Sequence, residues 1–272
     1  MKIDNALVRD CAAAIREADG LLVTAGAGMG VDSGLPDFRG TQGFWRAYPA
    51  LGRAKIAFES IASPAAFRAD AHLAWGFYGH RLTLYRRIEP HEGFAILKQM
   101  SASMTHGVCV FTSNVDGQFG KAGYPVDRVC EIHGSIHHLQ CMRGCTDGIW
   151  SAEDFAPEVD EEKCLLRSAL PACPHCKGLA RPNILMFGDW EWIESRQRLQ
   201  YAALYAWLRK LARPVIVEIG AGTAIPSVRQ FGEATRGVLI RINPSEPEVP
   251  KGKGYSLRMG ALEGIRRLRD VL

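Results

Sequence analysis

The stretch GAGMGVDSGLPDFRG, residues 26–40, decides the fold, because three of its glycines fall within five residues directly after the apolar run 21–23. A strand that ends in Gly26-Ala27-Gly28 lets the backbone turn tightly and come close to a phosphate group. Hydride-transferring dehydrogenases carry a glycine at the position of Val31 and an acidic residue about 20 positions further on, whereas residues 43–53 hold no acidic side chain. The stretch therefore indicates a dinucleotide-binding turn that does not serve hydride transfer, with a glycine turn that binds nothing as the simpler alternative.

Short apolar runs and helical patterns alternate around this stretch. The apolar runs are continuous, as in parallel strands that are covered on both faces. They lie at 21–24, 107–114, 127–134, 214–222 and 237–244, and helical spacing of apolar residues marks 4–18, 91–104, 195–212 and 260–271. This order predicts an α/β fold with a doubly wound parallel sheet.

Two segments break the alternation. Residues 41–90 are helical in pattern and rich in aromatic residues, and residues 137–187 contain two close cysteine pairs. We predict that these insertions form a smaller domain, partly helical and partly a zinc ribbon. The larger, Rossmann-like part then comprises about residues 1–40, 91–136 and 188–272.

The cysteine pairs predict a metal site. Cys141 and Cys145 form one pair, and Cys173 and Cys176 form the other. Such pairs are typical of a zinc ion bound by four thiolates, which leaves no open position for a substrate and so predicts a structural metal. Four unligated thiols are the alternative, and Cys164 is a candidate substitute ligand.

Composition bounds the class of protein. The chain has 272 residues, 47% of them apolar and 23% charged, and a net charge of +4 with both signs dispersed, which gives no indication of nucleic-acid binding. No apolar run reaches the length that spans a membrane, and residues 1–4 lack the pattern of a signal peptide. We therefore expect a cytoplasmic protein that binds neither nucleic acid nor membrane. The sequence leaves its oligomeric state open.

Further motifs follow the opening stretch. They are TSNVDGQFGKAG (112–123), EIHGS (131–135), RPNILMFGD (181–189), GAGTA (220–224) and IN (242–243). Together with residues 26–40 and the cysteine pairs, they resemble, in order, the motifs of the sirtuin (Sir2) family, whose first two run G-A-G-x-S-x-x-S-G-I-P-D-F-R and T-Q-N-I-D-x-L-H-x-x-A-G. The resemblance covers essentially the full chain.

The resemblance implies an NAD-dependent protein-lysine deacylase that acts on acylated-lysine proteins or peptides. NAD is then a consumed co-substrate, because nicotinamide is released and the acyl group ends on ADP-ribose. His133 matches the catalytic base, a role suited to a side chain whose ordinary pKa is near neutral. Asn114 and Asp116 match the residues that hold the nicotinamide ribose and the carboxamide, and an amide and a carboxylate can make those hydrogen bonds.

The resemblance also assigns the rest of the NAD site. Phe38 matches a ring that shields the reacting ribose from water, Arg39 matches a position facing phosphate and ribose, and Asp37 orients their loop. Asn243 and the Gly222-Thr223 pair match the adenosine side. The full set of candidate cofactor-binding residues is Gly26, Ala27, Gly28, Gly30, Asp37, Phe38, Arg39, Ser113, Asn114, Asp116, Gly222, Thr223, Ala224, Asn243 and Ala261.

Three positions depart from the family's motifs. Gly30 and Ala224 each replace a serine, and Ser113 replaces a glutamine. Each change shortens or removes a polar group near NAD, and the loss of a buried partner costs about 1–3 kcal/mol. Two alternatives therefore stand beside the deacylase. One is an NAD-consuming mono-ADP-ribosyltransferase or NAD glycohydrolase, and the other is a non-catalytic module that binds NAD or ADP-ribose.

Tyr78 and Arg81 resemble a Tyr-x-x-Arg pair that lines the acyl pocket of class III sirtuins, the desuccinylase and demalonylase type. Their spacing places both on one face of a helix. A guanidinium and a phenol can bind the free carboxylate of succinyl- or malonyl-lysine. An exposed Arg81 one turn from a packed Tyr78 is the alternative. Phe187 and Gly188 match an edge that pairs with the substrate backbone.

Overall fold

The structure is a computed structural model that describes residues 5–36 and 40–272, with the backbone alone at residues 40–42. The predicted site residues Asp37, Phe38 and Arg39 lie outside the described residues. None of the helices within the described ranges has the length and apolar character that crossing a bilayer requires.

Helices and strands alternate along most of the chain. The helices are α1 (Asn5–Glu17), α2 (Gly40–Ala47), α3 (Pro49–Arg53), α4 (Phe58–Ile61), α5 (Pro64–Ala69), α6 (Ala71–Arg87), α7 (Glu92–Met100), α8 (Gln118–Lys121), α9 (Ser195–Leu208), α10 (Ser227–Ala234) and α11 (Ala261–Arg269). Short 3-10 helices cover Ala27–Ser33 and Val126–Arg128. The strands are β1 (Gly20–Ala25), β2 (Val108–Thr112), β3 (Val129–Glu131), β4 (Gly134–Cys141), β5 (Ile149–Ser151), β6 (Val159–Asp160), β7 (Leu165–Leu166), β8 (Ala180–Ile184), β9 (Pro214–Ile219), β10 (Val238–Ile242) and β11 (Gly254–Leu257).

The predicted parallel sheet is confirmed, with six strands in the order β3-β2-β1-β9-β10-β11. Every neighbouring pair is parallel, and Leu22 of β1 lies between Cys109 of β2 and Ile216 of β9. This is the strand order of a doubly wound nucleotide-binding sheet. Five of the strands coincide with predicted apolar runs, and β1 extends one residue beyond its run at each end. The edge strand β11 was missed, because its sequence GYSL is short and mostly half-buried, and so carries little apolar signal.

Both faces of the sheet are covered, which is why its strands read as continuous apolar runs. Along β1, Leu21 and Val23 pack into a cluster with side chains from α1, α7 and α11. Leu22 packs on the opposite face with side chains from α9 and α10. Each fully buried aliphatic side chain of this kind contributes about 1.5–3 kcal/mol, so alternate residues of one strand stabilise both layers.

The two insertions share a third apolar cluster. At its centre lies α6, whose fully buried Trp75 donates from Nε1 to the Ala180 carbonyl of β8 at 2.9 Å. Position 76 of the same helix has to be glycine, because a Cβ there would lie 2.0 Å from the Cys164 carbonyl oxygen. A separate core agrees with a smaller domain built from residues 41–90 and 137–187. Its antiparallel sheet β5-β4-β8 already begins at Gly134, and the domain boundaries stay a prediction.

Candidate active site

The loops that follow β1 and β9 meet at the carboxyl edge of the sheet. Gly28 donates its backbone N–H to the Gly220 carbonyl at 3.1 Å. A Cβ on Gly28 would lie 2.6 Å from the Gly220 Cα, and Gly220 itself has a φ of +62°. Only glycine allows this approach of two backbones. In doubly wound sheets ligands bind in such a crevice outside the strand ends, so the predicted turn lies where a dinucleotide would be bound.

Gly30, one of the departures from the family's motifs, is buried against Leu35. A Cβ at position 30 would lie 2.9 Å from Leu35 Cδ1. Leu35 is 5% exposed. The space that a serine side chain would take is therefore filled by leucine, and the loop keeps its packing although it loses the hydroxyl group.

The end of β2 is tied to the glycine loop by hydrogen bonds. Thr112 donates from Oγ1 to the Ala25 carbonyl at 2.9 Å and accepts from the Asn114 backbone N–H at 3.0 Å. Asn114 donates from Nδ2 to the Gly26 carbonyl at 3.0 Å. The predicted ribose-holding amide is thus brought to the predicted phosphate turn, although 88 positions separate the two residues. Thr112 is a supporting residue that the sequence reasoning did not single out.

Asp116 is a buried carboxylate whose pKa is raised to about 6, chiefly by burial and also by the charge of Glu131. The backbone N–H of Gln118, which donates to Oδ1 at 2.9 Å, and the positive charge of Arg81 oppose this shift. His137 donates from Nε2 to the Asp116 backbone carbonyl at 2.9 Å. Asp116 is therefore held firmly at the site and changes its charge near pH 6.

His133 lies between β3 and β4, next to the Asn114 segment. Burial lowers the pKa of its imidazole, and a hydrogen bond with the backbone of Ser113 partly opposes the shift. Its backbone carbonyl accepts from the Leu185 N–H at 2.9 Å. A half-buried imidazole that is neutral at pH 7 can accept a proton, as general-base chemistry requires.

Tyr78 and Arg81 both lie on the buried side of α6, so the alternative of an exposed Arg81 is wrong. Arg81 is 9% exposed and donates from Nε to the Tyr85 hydroxyl at 2.9 Å. Its guanidinium carbon lies 5.2 Å from the Phe77 ring centroid and 5.4 Å from the Tyr85 centroid. Aromatic faces stabilise a buried cation. The positive charge of Arg81 also acts to lower the pKa of Asp116. Burial raises the pKa of Tyr78, so its phenol stays protonated.

The segment that carries Phe187 and Gly188 follows β8 as a loop. Phe187 donates its N–H to the Ala62 carbonyl at 3.0 Å and meets the Phe58 ring edge-on, with 5.7 Å between the centroids. Gly188 has a φ of +64°, which favours glycine at this turn. Asp189 binds the guanidinium of Arg181 with both carboxylate oxygens, at 2.7 and 2.9 Å. The acidic residue that ends this motif is thus part of a buried ion pair.

The predicted adenosine side is formed by the loops after β9 and β10. Gly222, Thr223 and Ala224 are exposed, and Thr223 donates from its backbone N and Oγ1 to the Glu246 carboxylate at 3.1 and 2.6 Å. Asn243 is 2% exposed and donates from Nδ2 to the Ala221 carbonyl at 2.9 Å.

Beside these loops, Ala261 is the first residue of α11. The sequence reasoning missed Arg229 of α10, which donates to the carbonyls of Ala221, Glu246 and Glu248 and so holds the same loops. It also missed Glu246. Nothing in the local sequence distinguishes such an arginine or glutamate from an exposed one, because their partners come from other segments.

The four predicted zinc ligands come together in one cluster. The Sγ atoms of Cys141 and Cys176 are 3.7 Å apart, those of Cys145 and Cys173 are 3.6 Å apart, and all four lie within 4.8 Å of one another. A tetrahedron with Zn–S bonds of about 2.3 Å has S–S edges of about 3.8 Å, whereas a disulfide is much shorter. The cluster therefore fits a zinc ion closed by four thiolates. Cys164 is not among its members, because it packs against α6 in the apolar core.

Fold and site together define the class of protein. It is a doubly wound α/β protein with a glycine-lined crevice at its strand ends and an inserted four-cysteine metal module. The model of the Sir2 family matches residues 26–205. The chain belongs to the Sir2 family.

Relatives and solved structures are similar over almost the whole length. The NAD-dependent protein deacylase of Pyrococcus furiosus is 30% identical over 91% of this chain and 90% of that protein. The NAD-dependent protein deacylase of Thermococcus kodakarensis is 32% identical over 91% of this chain and 90% of that protein. The crystal structure of a Sir2 homolog–NAD complex matches with a TM-score of 0.72 at 26% identity, covering 99% of this chain and 94% of that one.

Proposed function

We propose that this chain is an NAD-dependent protein-lysine deacylase. The observation that carries the proposal is the half-buried imidazole of His133, whose lowered pKa keeps it neutral beside the Ser113–Asn114 segment. Membership of the Sir2 family, the names of the relatives and the NAD complex of a homologue support it. The crevice supports NAD as co-substrate, because Gly28 and Gly220 line it without side chains, so a phosphate group can come close to the backbone.

The residues of the crevice divide the chemistry among them. Bound NAD would supply the ribose carbon, which the acyl oxygen attacks as the bond to nicotinamide breaks and nicotinamide leaves, and the hydroxyl group that accepts the acyl group. His133 takes the proton of a ribose hydroxyl. Asn114, fixed by its hydrogen bond to Gly26, orients the nicotinamide ribose, and ionised Asp116 accepts from the carboxamide N–H.

We further propose that the preferred acyl group ends in a carboxylate. Arg81 supports this, because it is a buried cation whose positive charge acts to lower the pKa of Asp116, the residue that we assign to the nicotinamide carboxamide. The Tyr78 phenol stays protonated and can donate a hydrogen bond. A charge-assisted hydrogen bond to a carboxylate contributes about 1.5–3 kcal/mol, which an acetyl group cannot gain.

Arg81→Met is expected to shift the acyl preference. We expect kcat/KM for a succinyl-lysine peptide to fall roughly 10- to 150-fold, as the loss of about 1.5–3 kcal/mol implies, with a change below about threefold for the acetyl-lysine peptide. The measurement is nicotinamide release from NAD with three matched peptides, carrying succinyl-, acetyl- and unmodified lysine. Thermal unfolding of the variant controls for loss of fold. An equal loss with both acyl groups would count against the carboxylate-binding role.

The unmodified-lysine peptide separates the deacylase from the other NAD chemistries. Acyl-dependent nicotinamide release is the expected result. Release that ignores the peptide would assign the chain to NAD hydrolysis or ADP-ribosyl transfer instead. NAD binding, followed as a thermal shift, without release from any peptide would leave a non-catalytic binding module.

The pH dependence follows from the two titrating groups. Asp116 accepts a hydrogen bond best when ionised, and its pKa near 6 means that this form is lost as the pH falls through 6. His133 acts as a base when neutral, and its lowered pKa preserves that form to below about pH 6.5. Activity is therefore expected to be level between pH 8 and 7 and to fall below about pH 6. In Asp116→Asn the acid-side rise in KM for NAD should vanish. An acid limb centred above pH 7 in the wild type would contradict both assignments.

A further inference from the structure

Trp190 is the most exposed large apolar side chain of the described residues, with 95% of its surface accessible. It follows Gly188 and Asp189 in the loop between β8 and α9. Exposing an indole ring to water is unfavourable, and tryptophan is enriched at the centres of binding interfaces. An exposed tryptophan in this loop therefore indicates a binding surface.

The loop is rigidly held although its tryptophan is free of the protein surface. Asp189, directly before Trp190, forms the bidentate ion pair with Arg181 in which both side chains are fully buried. Glu191, directly after it, accepts at its backbone carbonyl from Gln140 Nε2 at 2.9 Å. Both neighbours are thus anchored, and the indole is held out from a fixed backbone. Because the backbone is already ordered, binding through this side chain costs the rotamer freedom of the indole but little backbone entropy.

The position of the loop points to the substrate chain. Leu185 donates its N–H to the His133 carbonyl, and Trp190 is five positions after Leu185. At about 3.6 Å per residue, Trp190 lies no more than about 18 Å from Leu185. An extended peptide rises about 3.3 Å per residue, so a span of about 18 Å corresponds to about six residues, and Trp190 is within that reach of an acyl-lysine bound beside the contact between His133 and Leu185.

The charges of the loop are already paired. Glu191 binds Arg68 at 3.1 Å, Glu194 binds Arg198 at 2.8 Å, and Asp189 is buried with Arg181. Beyond these pairs, the same stretch of chain exposes the apolar side chains of Trp190, Phe187 and Leu185. Its chemistry favours an apolar side chain over a charged one.

We propose that Trp190 binds an apolar side chain of the acylated polypeptide, located within about six residues of the acyl-lysine, and so selects the target sequence. This inference rests on the proposed deacylase function. It assigns Trp190 a role in specificity that is distinct from the reacting groups.

The experiment compares peptides with the same acyl-lysine, in which leucine or serine is placed at each of the six positions on either side. For the wild type, leucine is expected to raise kcat/KM about three- to tenfold at one or two positions. Trp190→Ala should bring this ratio to about one, and Trp190→Phe should retain part of it. The matched control is Leu199→Ala, which removes another exposed apolar side chain, 74% accessible, from α9 and should leave the ratio unchanged.

Fluorescence anisotropy of the same labelled peptides, without NAD, measures peptide binding separately from deacylation. A leucine preference in binding that Trp190→Ala removes supports the inference even if turnover is slow. An unchanged leucine-to-serine ratio in Trp190→Ala, or equal losses for all peptides, overturns it while leaving the deacylase proposal intact. No nicotinamide release from any acyl peptide overturns the proposed function itself.

Discussion

His133→Ala is expected to lower kcat for deacylation by about 10²- to 10⁴-fold, which is the usual contribution of a positioned general base. His133 is partly exposed, and its backbone carbonyl, which accepts from the Leu185 N–H, stays in place. The substitution therefore removes the proton acceptor with little effect on the fold. The measurement is steady-state release of nicotinamide and deacylated peptide, with thermal unfolding as the check on folding.

NAD binding distinguishes a lost base from a lost site. The glycine crevice and Asn114 are untouched by His133→Ala, so the thermal shift caused by NAD is expected to persist. Asn114→Ala is the matched comparison, because it should weaken the NAD shift as well as the rate. A rate within threefold of the wild type in His133→Ala would remove this histidine from the reaction.

Cys173→Ala is expected to release the zinc ion and to unfold the smaller domain. Its thiol is fully buried within the four-cysteine cluster. Structural zinc contributes about 10–16 kcal/mol in small zinc-binding peptides, which matches or exceeds the about 5–15 kcal/mol of net stability of a typical domain. The measurements are zinc content per chain, the unfolding midpoint and near-ultraviolet circular dichroism, which reports the tryptophans packed in that unit.

Cys164→Ala provides the matched control. Cys164 is a buried thiol of the same unit, but it lies outside the cluster and packs with the apolar core. This variant should keep one zinc per chain and lose only the packing of a single sulfur atom. Cys173→Ala protein that lacks zinc but keeps the wild-type unfolding midpoint would show that the cluster does not stabilise the fold.

The sheet illustrates what local pattern can predict. Strands β1, β2, β9 and β10 were found from the sequence because parallel strands between two helical layers are apolar along their whole length. Strand β11 was not predicted, since only Leu257 of its sequence GYSL is buried and the segment carries little apolar pattern. The four metal ligands could be predicted equally well from the cysteine pairs, because two ligands close in sequence already restrict the metal geometry.

The sequence predicts only part of the candidate active site. The motifs placed Asn114 and His133 in the same region, but the hydrogen bond from Asn114 to Gly26 joins residues 88 positions apart. Packing of Leu35 against Gly30 likewise depends on the path of the chain, and it explains how a departure from the family's motif is accommodated. Arg229 and Glu246 were not predicted, because each forms its hydrogen bonds with a loop from another segment of the chain.

The sequence by itself determined the parallel sheet, the four thiolates and the order of the motifs, because each depends on spacing within a short segment. The tertiary structure alone decided that Arg81 is buried among aromatic rings, that Cys164 stays away from the metal and that Trp190 is held out into solvent. These outcomes depend on which distant residues surround a side chain. An arginine, a cysteine or a tryptophan carries the same local signal whether its surroundings are core, metal site or water.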